Sequence, residues 1–273
     1  MIPAIAERRT SDILELCGRA AKRAAAHLRS LYRQPHQIRK KGRIDLVTEA
    51  DVAAEEIILT ELHKGMPGCA VLAEESAADL ARIPAGPLWV IDPLDGTTNF
   101  AHDLPWFAVS IAYMEDLTPL AGVVCNVMAD ELYLAAKGYG AWCGDRRLQV
   151  STADSLEQSL IATGFPYDVP QQPQPVLAAL GNVLPRVQGI RRMGAAALDL
   201  VQVASGRMDG FWEIRLKPWD TAAGMLLVSE AGGRLSDFRG APYNAFLPEI
   251  VASNGRIHDA LQGLLAPFAF GRD

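Results

Sequence analysis

The sequence lacks several features that would assign it to a common catalytic class. Its four cysteines are scattered without CxxC spacing, and its five histidines form no pair at metal-binding spacing, which argues against a zinc site. It contains no lysine-bearing glycine-rich phosphate loop and no paired catalytic cysteine and histidine. The carboxylates are therefore the remaining candidates for catalytic residues.

Long apolar runs and long basic runs are also absent from the 273 residues. No apolar run approaches 18 residues and the N-terminus has no apolar signal core, so we expect a cytoplasmic protein without a membrane segment. The net charge of −6 and the lack of a basic run argue against nucleic acid as the main partner. An anionic substrate would then be attracted by something local, such as bound cations.

Two helices are predicted near the start of the chain. Apolar residues recur at helical spacing from about residue 10 to 33, and Thr10 or Ser11 is placed to cap that helix. A second helix is predicted to run to about Lys64, where glycine and proline follow. Between the two helices, the basic and polar residues 34–43 are typical of a loop or hairpin.

Short apolar runs further along predict strands. Runs at Cys69–Ala73 and Leu88–Ile91 each end in acidic residues, and three later runs separated by turns predict an antiparallel meander. The remainder alternates between helix and strand signals. We expect residues 1–150 to form a half with an antiparallel sheet and residues 151–273 to form a second α/β half that completes the site.

A carboxylate-rich turn follows the second of these strands. The strand ends in Asp92, and Asp95 follows three residues later. Pro93 and Gly96 favour a tight turn, so both carboxylates are expected to face one space. Paired carboxylates suit hard cations that bridge to a phosphate. The alternative is that both aspartates only cap the backbone of the turn.

Thr97 and Thr98 come directly after this turn. Threonine is a good residue for the first position before a helix, so both are candidates to cap a following helical turn. The free N–H groups of that turn would then point into the same space and favour an anion there.

Three further carboxylates are candidates for the same site. Glu74 ends the strand before Asp92, and the ends of neighbouring strands can converge on one ion, although an exposed acidic loop explains it equally well. Asp220 precedes an apolar helix that it could simply cap. Asp51 follows Thr48 by three residues, and a capping box alone could explain that pair.

Two long motifs resemble the inositol monophosphatase family, which belongs to the lithium-sensitive magnesium phosphatases. They are WVIDPLDGTTNF at Trp89–Phe100 and WDTAAGMLLVSEAGG at Trp219–Gly233. Shorter matches lie at Asp45–Asp51, Glu74–Ser76 and Gly194–Asp199. The matches run in order from about residue 40 to 253. The resemblance implies a layered αβαβα sandwich, Mg²⁺ dependence with two or three ions, lithium sensitivity and a homodimer.

The resemblance also implies which residues hold two metal ions. Glu74, Asp92 and the main-chain carbonyl of Leu94 would hold one Mg²⁺. Asp92, Asp95 and Asp220 would hold a second, so Asp92 would bridge the pair. Leu94 replaces a more usual isoleucine, which matters little because only its carbonyl would bind.

Further matches concern the attacking water, the phosphate and a third metal. Thr97 would help Glu74 to orient the attacking water, and the N–H groups of Gly96 and Thr97 would bind phosphate. Lys40 and Asp51 match positions near a third, weaker metal site. These roles follow from the resemblance alone.

The second half of the chain would supply the substrate contacts. Glu213 falls where inositol-type enzymes bind a substrate hydroxyl, and Ala195 and Ala196 would line the same pocket. Asp95 and Asp220 would also lie against the substrate. Asp220 would hold the water that protonates the departing alkoxide.

Reaction rates favour a mechanism with metals. Uncatalysed phosphate-monoester hydrolysis is so slow that acceleration approaches ~10²¹-fold, whereas acid–base catalysis supplies roughly 10²- to 10⁴-fold. Mg²⁺-dependent hydrolysis of a small phosphorylated metabolite, first of all myo-inositol monophosphate, is therefore expected. Histidinol phosphate and fructose-1,6-bisphosphate are alternative substrates. A non-catalytic regulatory or binding protein on the same fold is an alternative of another class.

Overall fold

A computed structural model describes residues 8–34, 38–40, 46–76 and 86–269, except for the side chains of 38–40 and 46–48. Seven α-helices lie in these ranges: α1 Arg8–Leu31, α2 Glu49–Gly65, α3 Thr97–Ala101, α4 Gln174–Val183, α5 Ala196–Ala204, α6 Pro218–Glu230 and α7 His258–Leu265. The strands are β1 Ile38–Lys40, β2 Leu46–Thr48, β3 Ala70–Ala73, β4 Leu88–Asp95, β5 Ala108–Glu115, β6 Thr118–Asn126, β7 Glu131–Ala136, β8 Gly140–Cys143, β9 Arg146–Arg147, β10 Leu160–Thr163, β11 Gly189–Arg191, β12 Gly210–Ile214, β13 Arg234–Ser236 and β14 Glu249–Ser253.

The first sheet runs in the order β3-β4-β5-β6-β7-β8-β9. β3 and β4 are parallel and the following pairs are antiparallel, which confirms the predicted meander. Side chains alternate across β4, so that Trp89 and Ile91 pack with α1 and α2 while Leu88 and Val90 face the opposite way. Burying one such large apolar side chain stabilises the fold by roughly 1.5 to 3 kcal/mol.

The central layer consists of α5 and α6, which contact each other and both sheets. Every residue of α5 is buried, and α6 is buried through most of its length. A helix that is apolar all round is expected where sheets cover it on both sides. Their residues join those of both sheets in one hydrophobic cluster.

The second sheet runs in the order β11-β10-β12-β14-β13 and is mixed. β10 is parallel to both of its neighbours, whereas β14 is antiparallel to both of its own. α4 and α7 pack against its outer face through a third apolar cluster. The layers therefore follow the order αβαβα, and the predicted sandwich is confirmed.

Some local predictions are wrong or extend beyond the described residues. Thr10 and Ser11 do not cap α1, because the helix is already formed at Arg8 and both lie inside it. β1 and β2 pair in antiparallel orientation. β1 lies within the basic segment 34–43, for which a loop or hairpin was predicted, whereas β2 lies beyond it. Asp45 lies outside the described residues. The division of the chain into halves at residue 150 stays a prediction.

Candidate active site

The predicted acidic residues of the first half lie at one edge of the first sheet. Because β3 and β4 are parallel, the ends where Glu74 and Asp92 stand are neighbours. The N–H of Glu74 donates to the carbonyl of Ile91 at 3.1 Å, which extends the pairing to the very end of β3. A register shift between Asp92 and Asp95 marks a bulge in the pairing of β4 with β5. Bulges of this kind redirect side chains next to functional sites.

The turn after β4 differs from the prediction in its capping residue. Gly96, with a φ of 95°, precedes α3, and both Thr97 and Thr98 lie within the helix rather than before it. A left-handed φ strains residues other than glycine. A Cβ at Gly96 would also lie 3.1 Å from the carbonyl oxygen of Trp106, so glycine is favoured on both grounds.

Thr97 instead links two of the predicted metal-site elements. Its hydroxyl lies 2.9 Å from Oδ1 of Asp51 on α2 and 3.0 Å from the carbonyl oxygen of Leu94. Asp51 and Thr97 are both buried. Asp51 therefore lies next to the acidic turn. The side chain of Lys40 is not among those that the structure describes.

Asp95 connects the turn to the second half of the chain. Its carboxylate accepts hydrogen bonds from the N–H groups of Ala196 at 3.2 Å and Ala197 at 2.8 Å. These N–H groups begin α5, and a carboxylate there is stabilised by the helix dipole. Asn99 reinforces the junction by donating to the carbonyl of Met193 at 2.9 Å. The sequence reasoning did not predict this cap, because its partners are about a hundred residues apart.

All predicted ligands and substrate contacts outside the third-metal environment line one cavity of about 260 Å³. The lining includes Glu74, Asp92, Leu94, Asp95, Gly96, Thr97, Ala195, Ala196, Glu213 and Asp220. Pockets of a few hundred cubic ångströms, with convergent polar groups, are typical of small-molecule sites.

The C-terminal half contributes Glu213 from the end of β12 and Asp220 from the first turn of α6. Asp220 accepts a hydrogen bond from the N–H of Lys217 at 2.6 Å, so the predicted helix-capping contact is made from inside the helix. Glu213 is buried beside Gly164, where an added Cβ would collide with its carboxylate. Asp220 thus has a structural role as well as a place in the cavity.

Burial and mutual repulsion raise the pKa values of these acids. Burial is the main reason why the pKa of Asp92 is raised well above its usual value, followed by the negative charges of Glu74, Asp95 and Asp220. Burial also raises the pKa of Asp95 to about 7, although the N–H of Ala197 opposes the shift. Among the described residues, no basic side chain is a main influence on the pKa of Asp92, and the only main influence that opposes the shift is the N–H of Leu94.

This donor set fits a divalent metal, although the side chains are not gathered into a finished cluster. Within the described ranges, no three histidine, cysteine, aspartate or glutamate side chains form a metal-binding group as they stand. Yet buried carboxylates that repel one another are stabilised by a cation, and carboxylate and carbonyl oxygens are ligands that Mg²⁺ prefers. The residues present therefore fit Mg²⁺, and the assignment of each ligand stays a prediction.

Three residues that line the cavity had no role predicted from the sequence: Asp199, Phe165 and Arg192. Asp199 lines the cavity, and one acid in the apolar helix Ala196–Ala204 was the signal that could have revealed it. Phe165 also lines the cavity, with the guanidinium of Arg192 stacked 5.4 Å from its ring centre. Arg192 lowers the pKa values of Asp199 and Glu213 against the raising effect of burial. Arg215 also lines the cavity and forms an ion pair with Asp168.

Comparison with known proteins identifies the family. The model of the inositol monophosphatase family matches residues 10–268. The chain belongs to the inositol monophosphatase family. It is 44% identical to an inositol-1-monophosphatase from Synechocystis, over 93% of this chain and 88% of the relative. It is 42% identical to the Nus factor SuhB of Escherichia coli K12, over 91% of this chain and 94% of the relative.

A solved structure agrees with the family assignment. The extragenic suppressor protein suhB from Bartonella henselae superposes with a TM-score of 0.86 at 42% identity, covering 93% of this chain and 98% of the other. Membership of this family supports a phosphatase with a small phosphorylated substrate. In the described part of the chain, no helix is long and apolar enough to cross a membrane.

Proposed function

We propose that this protein hydrolyses a small polyol phosphate with Mg²⁺, and that myo-inositol 1-phosphate is its first candidate substrate. The observation that carries the proposal is the convergence of Glu74, Asp92, Asp95 and Asp220 on one cavity. There, burial and the negative charges of the other three acids raise the pKa of Asp92. The name of the Synechocystis relative supports inositol 1-phosphate.

Glu74, Asp92, Asp95, Asp220 and the carbonyl of Leu94 would hold the metal. Bound Mg²⁺ would polarise the phosphate and lower the pKa of water, which provides several kcal/mol of transition-state stabilisation. Asp92, the most buried of the acids, is the proposed bridging ligand. The N–H groups of Gly96 and Thr97 are the proposed donors to the phosphate oxygens.

Thr97 is proposed to orient the attacking water together with Glu74. Its hydroxyl can donate to Asp51, 2.9 Å away, and this leaves an oxygen lone pair to accept a hydrogen bond from the water. Asp51 would thereby fix the orientation of the Thr97 hydroxyl, and Glu74 would take up the proton of the water. This role places Asp51 next to the chemistry whether or not a third metal lies there.

Asp220 is proposed to hold the water that protonates the leaving oxygen. It stands in the first turn of α6, and its bond to the Lys217 N–H fixes one carboxylate oxygen. The same carboxylate is proposed to orient a water towards the departing alkoxide. Positioning of both groups in line is the main source of rate for phosphoryl transfer.

Glu213 and Ala196 are proposed to contact the leaving group. A buried carboxylate accepts hydrogen bonds from polyol hydroxyls, and it would repel a second phosphate. Histidinol phosphate, whose ammonium group Glu213 would attract, is the main competing substrate. A bisphosphate such as fructose-1,6-bisphosphate is expected to be a poorer substrate than a monophosphate of similar size. Contact of its second phosphate with Arg192, Arg215 or Lys217, which also line the cavity, would reverse this preference.

A regulatory role is the second candidate, because the Escherichia coli relative is named a Nus factor. Such a role would not require the acidic residues of the cavity, and all predicted ligands are present here. Catalysis is therefore the better supported function. We also propose a homodimer, which size-exclusion chromatography with light scattering would test.

Phosphate release from the three substrates, with Mg²⁺ and with excess chelator, tests the proposal. We expect release from inositol 1-phosphate that stops with chelator, returns with added Mg²⁺ and is inhibited by lithium. Activity that survives excess chelator would exclude the metal mechanism. No release from any substrate with Mg²⁺ would favour the regulatory candidate.

A further inference from the structure

Asp199 is a buried carboxyl group that the proposed reaction does not yet use. It lies in the first turn of α5, two residues after Ala197, whose N–H binds Asp95. Asp199 is 1% exposed. Its side chain lines the cavity together with Glu213 and Arg192, and the charges of both residues influence its pKa. It thus lines the cavity together with the proposed contacts for the leaving group.

One oxygen of this carboxyl group lacks a partner. Oδ1 of Asp199 is buried and has no hydrogen bond among the described residues. Buried polar atoms in native proteins are almost always hydrogen-bonded, so an exception requires an explanation. The Cβ–Cγ torsion of aspartate is broad and two-fold, which allows the group to turn this oxygen towards a ligand.

A purely structural role does not account for Asp199. Its own N–H donates to the carbonyl of Ala195 in the ordinary helical pattern, and its side chain is not a helix cap. Gln202, the other polar side chain of α5, is also buried, yet it lies outside the cavity and accepts a bond from Arg207. Gln202 therefore has a partner within the protein, whereas Asp199 faces the cavity and its Oδ1 has no partner among the described residues.

The surroundings of Asp199 indicate the chemistry of its partner. Glu213 repels its ionised form and Arg192 attracts it, so the chain supplies charges of both signs at this end of the cavity. A carboxyl group in such a place pairs well with a neutral hydroxyl, whereas a further anion would meet two acids. A ligand with several hydroxyl groups could use Glu213 and Asp199 at once.

We propose that Asp199 is a specificity-determining residue, which makes its missing hydrogen bond to a hydroxyl of the polyol leaving group. This inference rests on the proposed phosphatase function of the same cavity. It adds a second acid to Glu213 as a contact for the leaving group. Substrates without hydroxyls on the leaving group gain nothing from it.

The experiment compares inositol 1-phosphate with phenyl phosphate, whose leaving group carries no further hydroxyl. Asp199→Ala should lower kcat/KM for inositol 1-phosphate by roughly 10- to 100-fold, mainly through KM, and change phenyl phosphate less than about threefold. Inhibition by free myo-inositol should weaken in parallel. Asp199→Asn, which keeps a donor and an acceptor, should stay within about fivefold of the parent.

Controls and contrary outcomes separate this inference from the function on which it rests. Gln202→Leu, a matched change on α5 outside the cavity, should leave the ratio of the two substrates unchanged. Equal losses on both substrates, or none on either, would overturn the role of Asp199. If Asp199→Ala fails to fold, Asp199→Leu, which removes the polar group and keeps a side chain of similar shape, should show the same selective loss. Unchanged selectivity in that variant would also overturn the role. A parent that hydrolyses both phosphates equally well would refute polyol selection alone, whereas a parent with no Mg²⁺-dependent release would refute the phosphatase too.

Discussion

The two ends of the cavity contain buried acids, but they differ in what surrounds those acids. We define the acidic end as Glu74, Asp92, Asp95 and Asp220, and the leaving-group end as Asp199, Glu213 and Arg192. Burial raises the pKa values of Asp92, Asp95, Asp199 and Glu213 alike. Burial alone therefore does not distinguish the two ends.

The difference lies in the source of compensating positive charge. Carboxylates are the largest charged influences on the pKa values at both ends: Glu213 acts on Asp199, Asp220 on Glu213, and Glu74 on Asp92. The ends differ because the guanidinium of Arg192 opposes the raised pKa values of Asp199 and Glu213, whereas no basic side chain of the described residues is a main influence on Asp92. The described residues thus compensate the leaving-group end in part, and the acidic end is the one that a bound cation would compensate. The contrast supports the proposal that metal and phosphate bind at one end and the polyol at the other.

The largest expected effect comes from Asp92→Asn, which would remove the proposed bridging ligand. We expect kcat to fall by ~10³-fold or more, because metal catalysis contributes several kcal/mol and each ~1.4 kcal/mol is tenfold in rate. Steady-state phosphate release measures it. Asp103→Asn, the same change at an exposed aspartate just beyond α3, should retain full activity. A near-normal kcat in Asp92→Asn would contradict the proposal that the acidic end binds the metal through Asp92.

Asp220→Asn should have a smaller effect than Asp92→Asn, because Asp220 is proposed as a ligand of the second ion only. We expect the first ion still to bind, and calorimetry should show a lower Mg²⁺ stoichiometry rather than none. The amide can still accept the bond from the Lys217 N–H, so α6 should keep its first turn. Complete loss of metal binding in this variant would show that the two ions are not separable.

Glu213→Gln tests the leaving-group end. The carboxylate is expected to disfavour a bisphosphate relative to a monophosphate by about 1 to 3 kcal/mol, which is roughly 5- to 150-fold in kcat/KM. The glutamine variant should lose most of that preference and keep its dependence on Mg²⁺. The readout is kcat/KM for inositol 1-phosphate and fructose-1,6-bisphosphate. Unchanged preferences would remove Glu213 as a selector.

The smallest expected effect concerns a titratable group outside the cavity. His258 is buried between the hydroxyls of Ser253 and Ser236, each 2.9 Å away, and burial lowers its pKa to about 4. Between about pH 6.5 and 4 the unfolded chain binds a proton that the folded protein does not, so stability should fall as the pH falls.

Denaturant unfolding across this pH range measures the contribution of His258. His258→Gln should flatten the pH dependence between pH 6.5 and 4, whereas the same change at exposed His102 should leave it unchanged. The buried acids act in the opposite direction, since acids with raised pKa values cost stability as the pH rises. If His258→Gln shows the parent's slope, the acid limb of stability arises elsewhere.

The acidic end was largely predictable from the sequence, because it depends on short-range patterns. Apolar runs that end in Glu74 and Asp92 predicted neighbouring strand ends that could converge, and the structure pairs these two strands in parallel. The turn residues predicted that Asp95 faces the same space as Asp92. The capping role given to Thr97 was wrong, since the sequence does not show that Gly96 takes the left-handed conformation.

The contacts between separate segments of the chain were less predictable than the acidic residues themselves. The cap of Asp95 on α5 and the bond of Thr97 to Asp51 join residues 102 and 46 positions apart, and helical or strand periodicity carries no information about such pairs. Asp199 was visible as an acid in an apolar helix, but only the packing of α5 between the sheets places it in the cavity.

The central claim is that the acidic end depends on a bound cation for its compensation, and thermal unfolding with Mg²⁺ tests it most directly. At a Mg²⁺ concentration ~100 times its Kd, we expect the Tm of the parent and of Asp103→Asn to rise by roughly 5 to 10 °C. Asp92→Asn should show little or no rise. A parent whose Tm ignores Mg²⁺, or an Asp92→Asn variant that gains as much as the parent, would contradict the account.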